Sequence, residues 1–312
     1  HELLRHPAKS CAQILKESEF MELMQLRYFQ VVALNQHITR SAEQLNVSQP
    51  AISVVISRLE SELGVPLFDR SGRSIVLNAY GEVFLSRVNR ILLDIDNAKK
   101  EINEMKGEQE HTLFVSLTSP QFMRGIEGFM RSHPAVKWRQ SVEEFQDIIQ
   151  LLESGKIDIG ITSPEINRDD MNTIILCQDR FMVAVHQDHP LAKKDSVGVD
   201  DIIGEKFIAL QKGFPFRTQM DQLCEELGIK LNIVMECDHY LRTELLNVNA
   251  GITIASQSAK KRCLYDEQIK FLPIKGLDKT RNIALSYRKD KYLTQDTRDF
   301  CDYMIAYYKE LV

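Results

Sequence analysis

The sequence predicts an α+β multidomain chain: an N-terminal winged helix-turn-helix, one long helix, and a C-terminal part built from two α/β lobes. Three observations carry this reading. Thr39 to Arg58 has the pattern of two helices joined by a tight turn, with a short hairpin after it. Apolar residues then recur at heptad spacing from Phe84 to Met105. From Thr112 onward, short apolar strands alternate with amphipathic helices, the βαβ order that implies a mostly parallel sheet with right-handed crossovers.

Residues 1–20 lack a signal-peptide layout, since no apolar core of adequate length follows their basic residues, and are expected to be a leader or extension outside the fold. Leu23 to Ala33 reads as a first helix with Leu26, Phe29 and Ala33 inward. Ala42 and Leu45 mark the inner face of the next helix, and Asn46-Val47 breaks it. Ser48 is a good N-cap, and Pro50 suits a first turn where a missing N–H does no harm. Ile52, Ile56, Leu59 and Leu63 then form a buried helical stripe. The opposite face carries Gln49, Ser53, Ser57 and Arg58, and side chains near the start of such a second helix are those that meet base edges. Gly72 separates two short extended pieces, a hairpin "wing" with Arg70 and Arg73 near its tip. These residues point to double-stranded DNA as a partner. Gln49, Pro50, Ser53 and Ser57 are expected on bases, and Thr39, Ser48, Arg58, Arg70 and Arg73 mostly on phosphates.

Asn78 can cap a long helix running to about Lys106. Its positions Phe84, Val88, Ile91, Ile95, Ala98, Ile102 and Met105 form an unbroken heptad seam, which favours pairing with a second chain. Gly107 to His111 is polar and reads as a hinge. The expected domains are therefore residues 21–80, 81–106 and 107–312. Within the last, one lobe lies near 112–182 plus 287–312 and the other near 183–286.

In open α/β sheets ligands bind beyond the carboxyl ends of strands, at helix N-termini. That rule selects Thr118 and Ser119, Thr162 and Ser163, and Gln211, Lys212 and Arg217. Their hydroxyls, amides and cations suit a small organic anion. Asp238 and His239 sit beside Arg242 without a nucleophile and third partner, so Asp238 reads as a helix cap rather than part of a catalytic set. Gly-rich phosphate loops of the GxGxxG or GxxxxGK[ST] type are absent from the sequence. No catalytic residue, metal or cofactor is expected.

Composition bounds the remaining classes. The chain has 312 residues, 44% hydrophobic and 27% charged, with a net charge of −5, and no apolar run long enough to span a membrane. Between Met21 and Tyr80, Arg27, Arg40, Arg58, Arg70 and Arg73 are balanced by Glu22, Glu43, Glu60, Glu62 and Asp69. Phosphate attraction normally supplies much of the affinity for DNA, so a dimer with its arginines on one face is needed to answer that neutrality. The six cysteines form no CxxC pair, which favours free thiols in a reducing cytoplasm.

Arg27-Tyr28-Phe29, Val47-Ser48-Gln49-Pro50-Ala51, Arg58-Leu59-Glu60 and Glu62-Leu63-Gly64-Val65-Pro66-Leu67-Phe68-Asp69-Arg70 closely resemble the signature of the LysR-type transcriptional regulators. Elsewhere the resemblance is one of length, order and a few short motifs. It implies a periplasmic-binding-protein-like effector domain, a small-molecule effector between its lobes, a homodimer or homotetramer, RNA polymerase as a further partner, and a cytoplasmic location. One branch of that family senses peroxide with a cysteine pair near Arg217. Here Cys224 matches the second position but Pro215 fills the first, so that mechanism is not expected. Val54 also departs from the polar or basic residue common there. It could touch a thymine methyl or mark more reading of DNA shape. The competing reading, a two-lobed small-molecule carrier with no role in gene control, would require an export signal.

Overall fold

The computed structural model describes residues 21–71, 74–107, 112–123, 125–261 and 267–311. Residues 1–20, Arg73 and most of the expected hinge at 107–111 lie outside that set. The chain divides into two compact units, up to Asp96 and from Asn97 onward.

In the first unit, helices α1 (Leu23–Asn35), α2 (Ile38–Leu45) and α3 (Gln49–Leu63) precede a hairpin of β1 (Phe68–Ser71) and β2 (Ser74–Leu77). The turn between α2 and α3 forms as expected. Asn46 adopts φ 54°, which ends α2, and the Ser48 hydroxyl accepts a hydrogen bond from the Ala51 N–H at 3.4 Å. Ile52, Ile56 and Leu59 are buried against Leu26, Phe29 and Val32 of α1.

Asn78 caps α4 (Ala79–Met105), its Oδ1 accepting from Gly81 N–H at 3.0 Å. Gly81 lies against the Leu67 carbonyl, where an added Cβ would fall 2.1 Å from the oxygen. Only a residue without a side chain fits there. Two members of the expected heptad seam are corrected. Val88 is fully buried in the core of its own unit and Phe84 packs against that core, meeting Phe29 edge-on at 4.9 Å between ring centres. A hydrophobic stripe of period 3.5 does not say which part of a helix its own domain will cover. Ile91, Ala98, Ile102 and Met105 are exposed and Ile95 is half-buried.

In the second unit the first lobe contains β3 (Thr112–Leu117), α5 (Ile126–Ser132), β4 (Lys137–Val142), α6 (Phe145–Glu153), β5 (Ile159–Thr162) and the closing helix α11 (Gln295–Leu311). The second contains α7 (Val199–Ile202), β7 (Lys206–Leu210), α8 (Pro215–Glu226), β8 (Asn232–Cys237), α9 (His239–Asn247), β9 (Thr253–Ser256), α10 (Gln257–Lys261) and β10 (Ile269–Pro273). Two long strands carry the chain between them: β6 (Met171–His186) and β11 (Thr280–Arg288). The first half of β6 pairs with β11, and its second half with β9 and β10.

The sheet is mixed rather than mostly parallel. β3 runs parallel to β4 and β5, and β7 to β8, but every pairing of β6 and β11 is antiparallel. Helical crossovers make the parallel pairs, whereas β6 and β11 carry the chain out of and back into the first lobe in opposite directions and so pair antiparallel. The expected lobe boundary at 286 falls inside β11, whose Ile283 and Leu285 belong to the core of the first lobe.

The last turns of α4, from Asn97 onward, belong to the second unit and are bonded within it. Asn97 donates to the Asp290 carbonyl at 2.7 Å and accepts from Tyr292 N–H at 2.8 Å. Glu104 accepts from the Tyr292 hydroxyl at 2.5 Å and from Gln295 N–H at 2.7 Å.

Candidate functional site

The outward face of α3 is open. Ser48, Gln49, Pro50, Ser57 and Arg58 are exposed, as is Thr39 at the start of α2, and Ser53 is half-buried. Arg70 lies in β1, but its side chain and all of Arg73 fall outside the described residues. Pro50 has no N–H, Ala51 N–H is given to the Ser48 hydroxyl and Ile52 N–H to the Ser48 carbonyl, which leaves the Gln49 N–H of the first turn for a phosphate.

In the second unit a cavity lies where the lobes meet. Its walls include Thr118, Ser119 and Ser163 from the first lobe, as expected, together with Arg242, Arg281 and His239, which the sequence reading did not select. Phe122, Phe214 and Phe216 supply its apolar surface, and in this lobe arrangement the cavity is tight, with an internal free volume of about 20 Å³. Thr118 Oγ1 accepts from Ser163 N–H at 3.2 Å, and Ser163 Oγ accepts from Gln219 at 3.3 Å. The buried Ser119 hydroxyl has no hydrogen-bond partner among the described residues. A buried polar group of this kind carries a desolvation cost that a bound polar atom would relieve.

Arg281 extends from β11 between the lobes. Its guanidinium carbon stands 4.6 Å from the Phe216 ring centre and 5.9 Å from that of Phe122. It donates to Asp179 at 3.1 Å, whose carboxylate also accepts from Ser258 N–H at 2.8 Å and Ser258 Oγ at 2.7 Å. Arg242 reaches in from α9, 5.8 Å from the same Phe216 ring. Both guanidiniums are thus held beside aromatic faces, which favour cations.

His239 lies beside Arg242, its Nδ1 3.4 Å from Gln121 Nε2 and 3.5 Å from Arg242 Nη2. Burial, followed by the charges of Arg242 and Arg281, lowers its pKa to about 3. The imidazole is therefore neutral near pH 7. Asp238 is the expected cap, accepting from Leu241 N–H at 2.8 Å.

The other expected effector residues separate. Arg217 is buried but committed elsewhere: it donates to Asp221 at 2.8 and 2.9 Å, to Glu236 at 2.7 Å and to the Leu210 carbonyl at 2.7 Å. It braces α8 against β7 and β8 and does not line the cavity. Thr162 is buried and does not line the cavity, its hydroxyl without a partner among the described residues. Lys212 is exposed in a second, open groove with Glu143, Glu144 and Asp147, and Gln211 lines neither space. A basic residue near a helix start looks the same in sequence whether it faces a ligand or a carboxylate of its own fold. The available signal for Arg242 was its place just after the carboxyl end of β8. Arg281 offered none, because it lies at the start of a strand, away from the carboxyl ends that the rule selects.

Cys177, Cys224, Cys237 and Cys301 are buried free thiols. Burial, then the Asp221 charge, raises the pKa of Cys224 to about 11. It is a thiol at neutral pH, unlike a reactive cysteine, which needs its thiolate. No helix among the described residues is long and apolar enough to cross a membrane, and no cluster of metal-binding side chains occurs among them.

Comparison with known proteins places this geometry. Residues 23–82 match the family described as bacterial regulatory helix-turn-helix protein, lysR family, and residues 112–309 match the LysR substrate binding domain. The HTH-type transcriptional regulator YybE of Bacillus subtilis is 34% identical over 93% of this chain and 100% of its own length. The dual regulator GltC of the same organism is 29% identical over 93% and 99%. Among solved structures, full-length OxyR from Pseudomonas aeruginosa shares the fold with a TM-score of 0.66 at 23% identity, covering 93% of this chain and 95% of that one. Both domains match in order, and one relative aligns along its entire length: the chain belongs to the LysR-type family of DNA-binding transcriptional regulators, with a small-molecule effector domain behind its helix-turn-helix.

Proposed function

We propose that the effector is a small organic anion bearing a carboxylate, taken up between Arg242 and Arg281. The observation that carries this is the pair of buried guanidiniums beside one Phe216 ring, with the unpartnered Ser119 hydroxyl belonging to the same cavity wall. Thr118, Ser163 and neutral His239 would orient the ligand, and the three phenylalanines would cover its apolar part. Since the cavity is shared by both lobes, an anion favours the lobe arrangement that brings its contacts together. Its effect on DNA can be no larger than its differential affinity for the two arrangements.

On the DNA side, Gln49, Pro50, Ser53 and Ser57 meet bases. Thr39, Ser48, Arg58, Arg70 and Arg73 meet phosphates. A second copy packs along Ile91, Ile95, Ala98, Ile102 and Met105, spacing two α3 helices for successive major-groove turns. The protein then acts in the cytoplasm, as a sensor rather than a catalyst, and reaches RNA polymerase at its promoter.

Calorimetric titration of the full chain with a panel of carboxylates, sugar phosphates and amines tests the effector reading. Carboxylates should bind, and Arg242→Gln should weaken them ten- to a hundredfold, the range for losing a hydrogen bond to a charged group. Binding of amines alone, or equal affinity in the variant, would overturn it.

A further inference from the structure

Val54 lies at the centre of the open face of α3 and is 66% exposed. It stands one turn beyond Pro50 and one turn before Ser57, both exposed, with Ala51 beside it. Nothing within its own unit accounts for a branched apolar side chain at this place. Its neighbour Ile56 supplies the core contact, so Val54 gains no burial. A β-branched residue on a helix surface also has lower helix propensity than alanine.

The rest of the face has a consistent chemistry. It presents an amide at Gln49, hydroxyls at Ser53 and Ser57, and apolar groups at Pro50, Ala51 and Val54. Its cation, Arg58, lies in the later part of the helix. The usual reader of guanine, a cation placed for O6 and N7, is absent from the first two turns. A glutamine suits adenine N6 and N7, and the C5-methyl of thymine is the one apolar group that the major-groove edges present.

We propose that Val54 is a specificity-determining residue that packs on the C5-methyl of a thymine, beside an adenine read by Gln49, so that each half-site carries an A·T step under the first two turns of α3. This rests on α3 being the recognition helix. Desolvation of Val54 occurs only on the correct sequence, which turns an exposed apolar group into discrimination between thymine and cytosine.

The test uses the full chain and a random duplex pool from which bound sequences are selected. Each thymine of the enriched half-site is then replaced by deoxyuridine, which removes the methyl and leaves every hydrogen-bonding group. One position should weaken wild-type binding about fourfold, the value of one methyl-sized burial. Val54→Ala should lose the same factor on the thymine duplex and be indifferent to deoxyuridine there. Val54→Ile should retain the preference, and both variants should melt with the wild type. An enriched half-site without thymine, or a Val54→Ala protein that responds to every deoxyuridine as the wild type does, overturns the proposal while leaving DNA recognition intact. Failure to enrich any sequence overturns the recognition-helix reading and this proposal with it.

Discussion

Replacing Asp158 by alanine is expected to destabilise the second unit by about 3–5 kcal/mol, the usual cost of removing one partner from a buried ion pair. Asp158 is 4% exposed. Its carboxylate accepts from Lys100 Nζ at 2.8 Å and from Phe114 N–H at 2.9 Å, and Lys291 Nζ lies 3.0 Å away. Lys291 is itself buried and also donates to the Ile157 carbonyl at 2.6 Å. Without the carboxylate, the buried Lys291 ammonium and the partly exposed Lys100 ammonium lose the counter-charge they share. Asp158→Asn, which keeps hydrogen-bonding atoms but not the charge, should cost less. Urea unfolding of the full chain reads both. Unchanged midpoints for the transition of the second unit would show that this network contributes nothing.

The same group sets part of the acid response. Burial raises the Asp158 pKa, but Lys291, Lys100 and the Phe114 N–H outweigh it and hold the carboxyl below its ordinary value of 3.8. Its stabilising effect is therefore complete above that value and is lost as pH falls further. His239, with its pKa lowered from 6.5 to about 3, acts over a higher window. Its unfolded form gains a proton below about 6.5 while its folded form does not, so stability falls from there toward pH 3. A melting series should show loss in the upper window first, and His239→Gln should remove that part.

Arg281→Met is expected to have a comparable effect on stability and a larger one on sensing. It leaves the Asp179 carboxylate, 2% exposed, with Ser258 in place of a cation. A cost of about 3–5 kcal/mol follows from the same rule. The double change Arg281→Met with Asp179→Asn removes the uncompensated charge and should recover most of the melting temperature. Carboxylate binding should stay at least tenfold weaker in both proteins, because the guanidinium is gone in each. If the double variant recovers anion affinity along with stability, Arg281 serves the fold alone.

How far the sequence could be read depended on whether a residue's partner lies nearby in the chain. Ser48, Pro50 and the Ile52–Ile56–Leu59 stripe act within their own helix and its neighbour, and the structure keeps them. Asn78 and Asp238 cap the helices that follow them for the same reason. Sequence alone reads a strand from Phe181 to His186 and not before it, because Met171 to Arg180 alternates irregularly, with Asn172, Thr173, Gln178 and Asp179 between its apolar residues. The strand character of this stretch comes from pairing with β11, about a hundred residues later. The cavity shows the same limit. Thr118, Ser119 and Ser163 followed from strand ends, whereas Arg217 and Arg281 could be told apart only once Asp221, Glu236 and Asp179 had found them.

The fastening of Asn97, Lys100 and Glu104 bears on how a soluble sensor fragment of this protein should be cut. The family match begins at Thr112, an inviting place to start a truncated gene. Such a fragment would discard the side chains that hold the Asp290–Gln295 segment and half of the counter-charge at Asp158. Starting near Arg90 retains about two helical turns ahead of Asn97, so expression yield and solubility should favour the longer product.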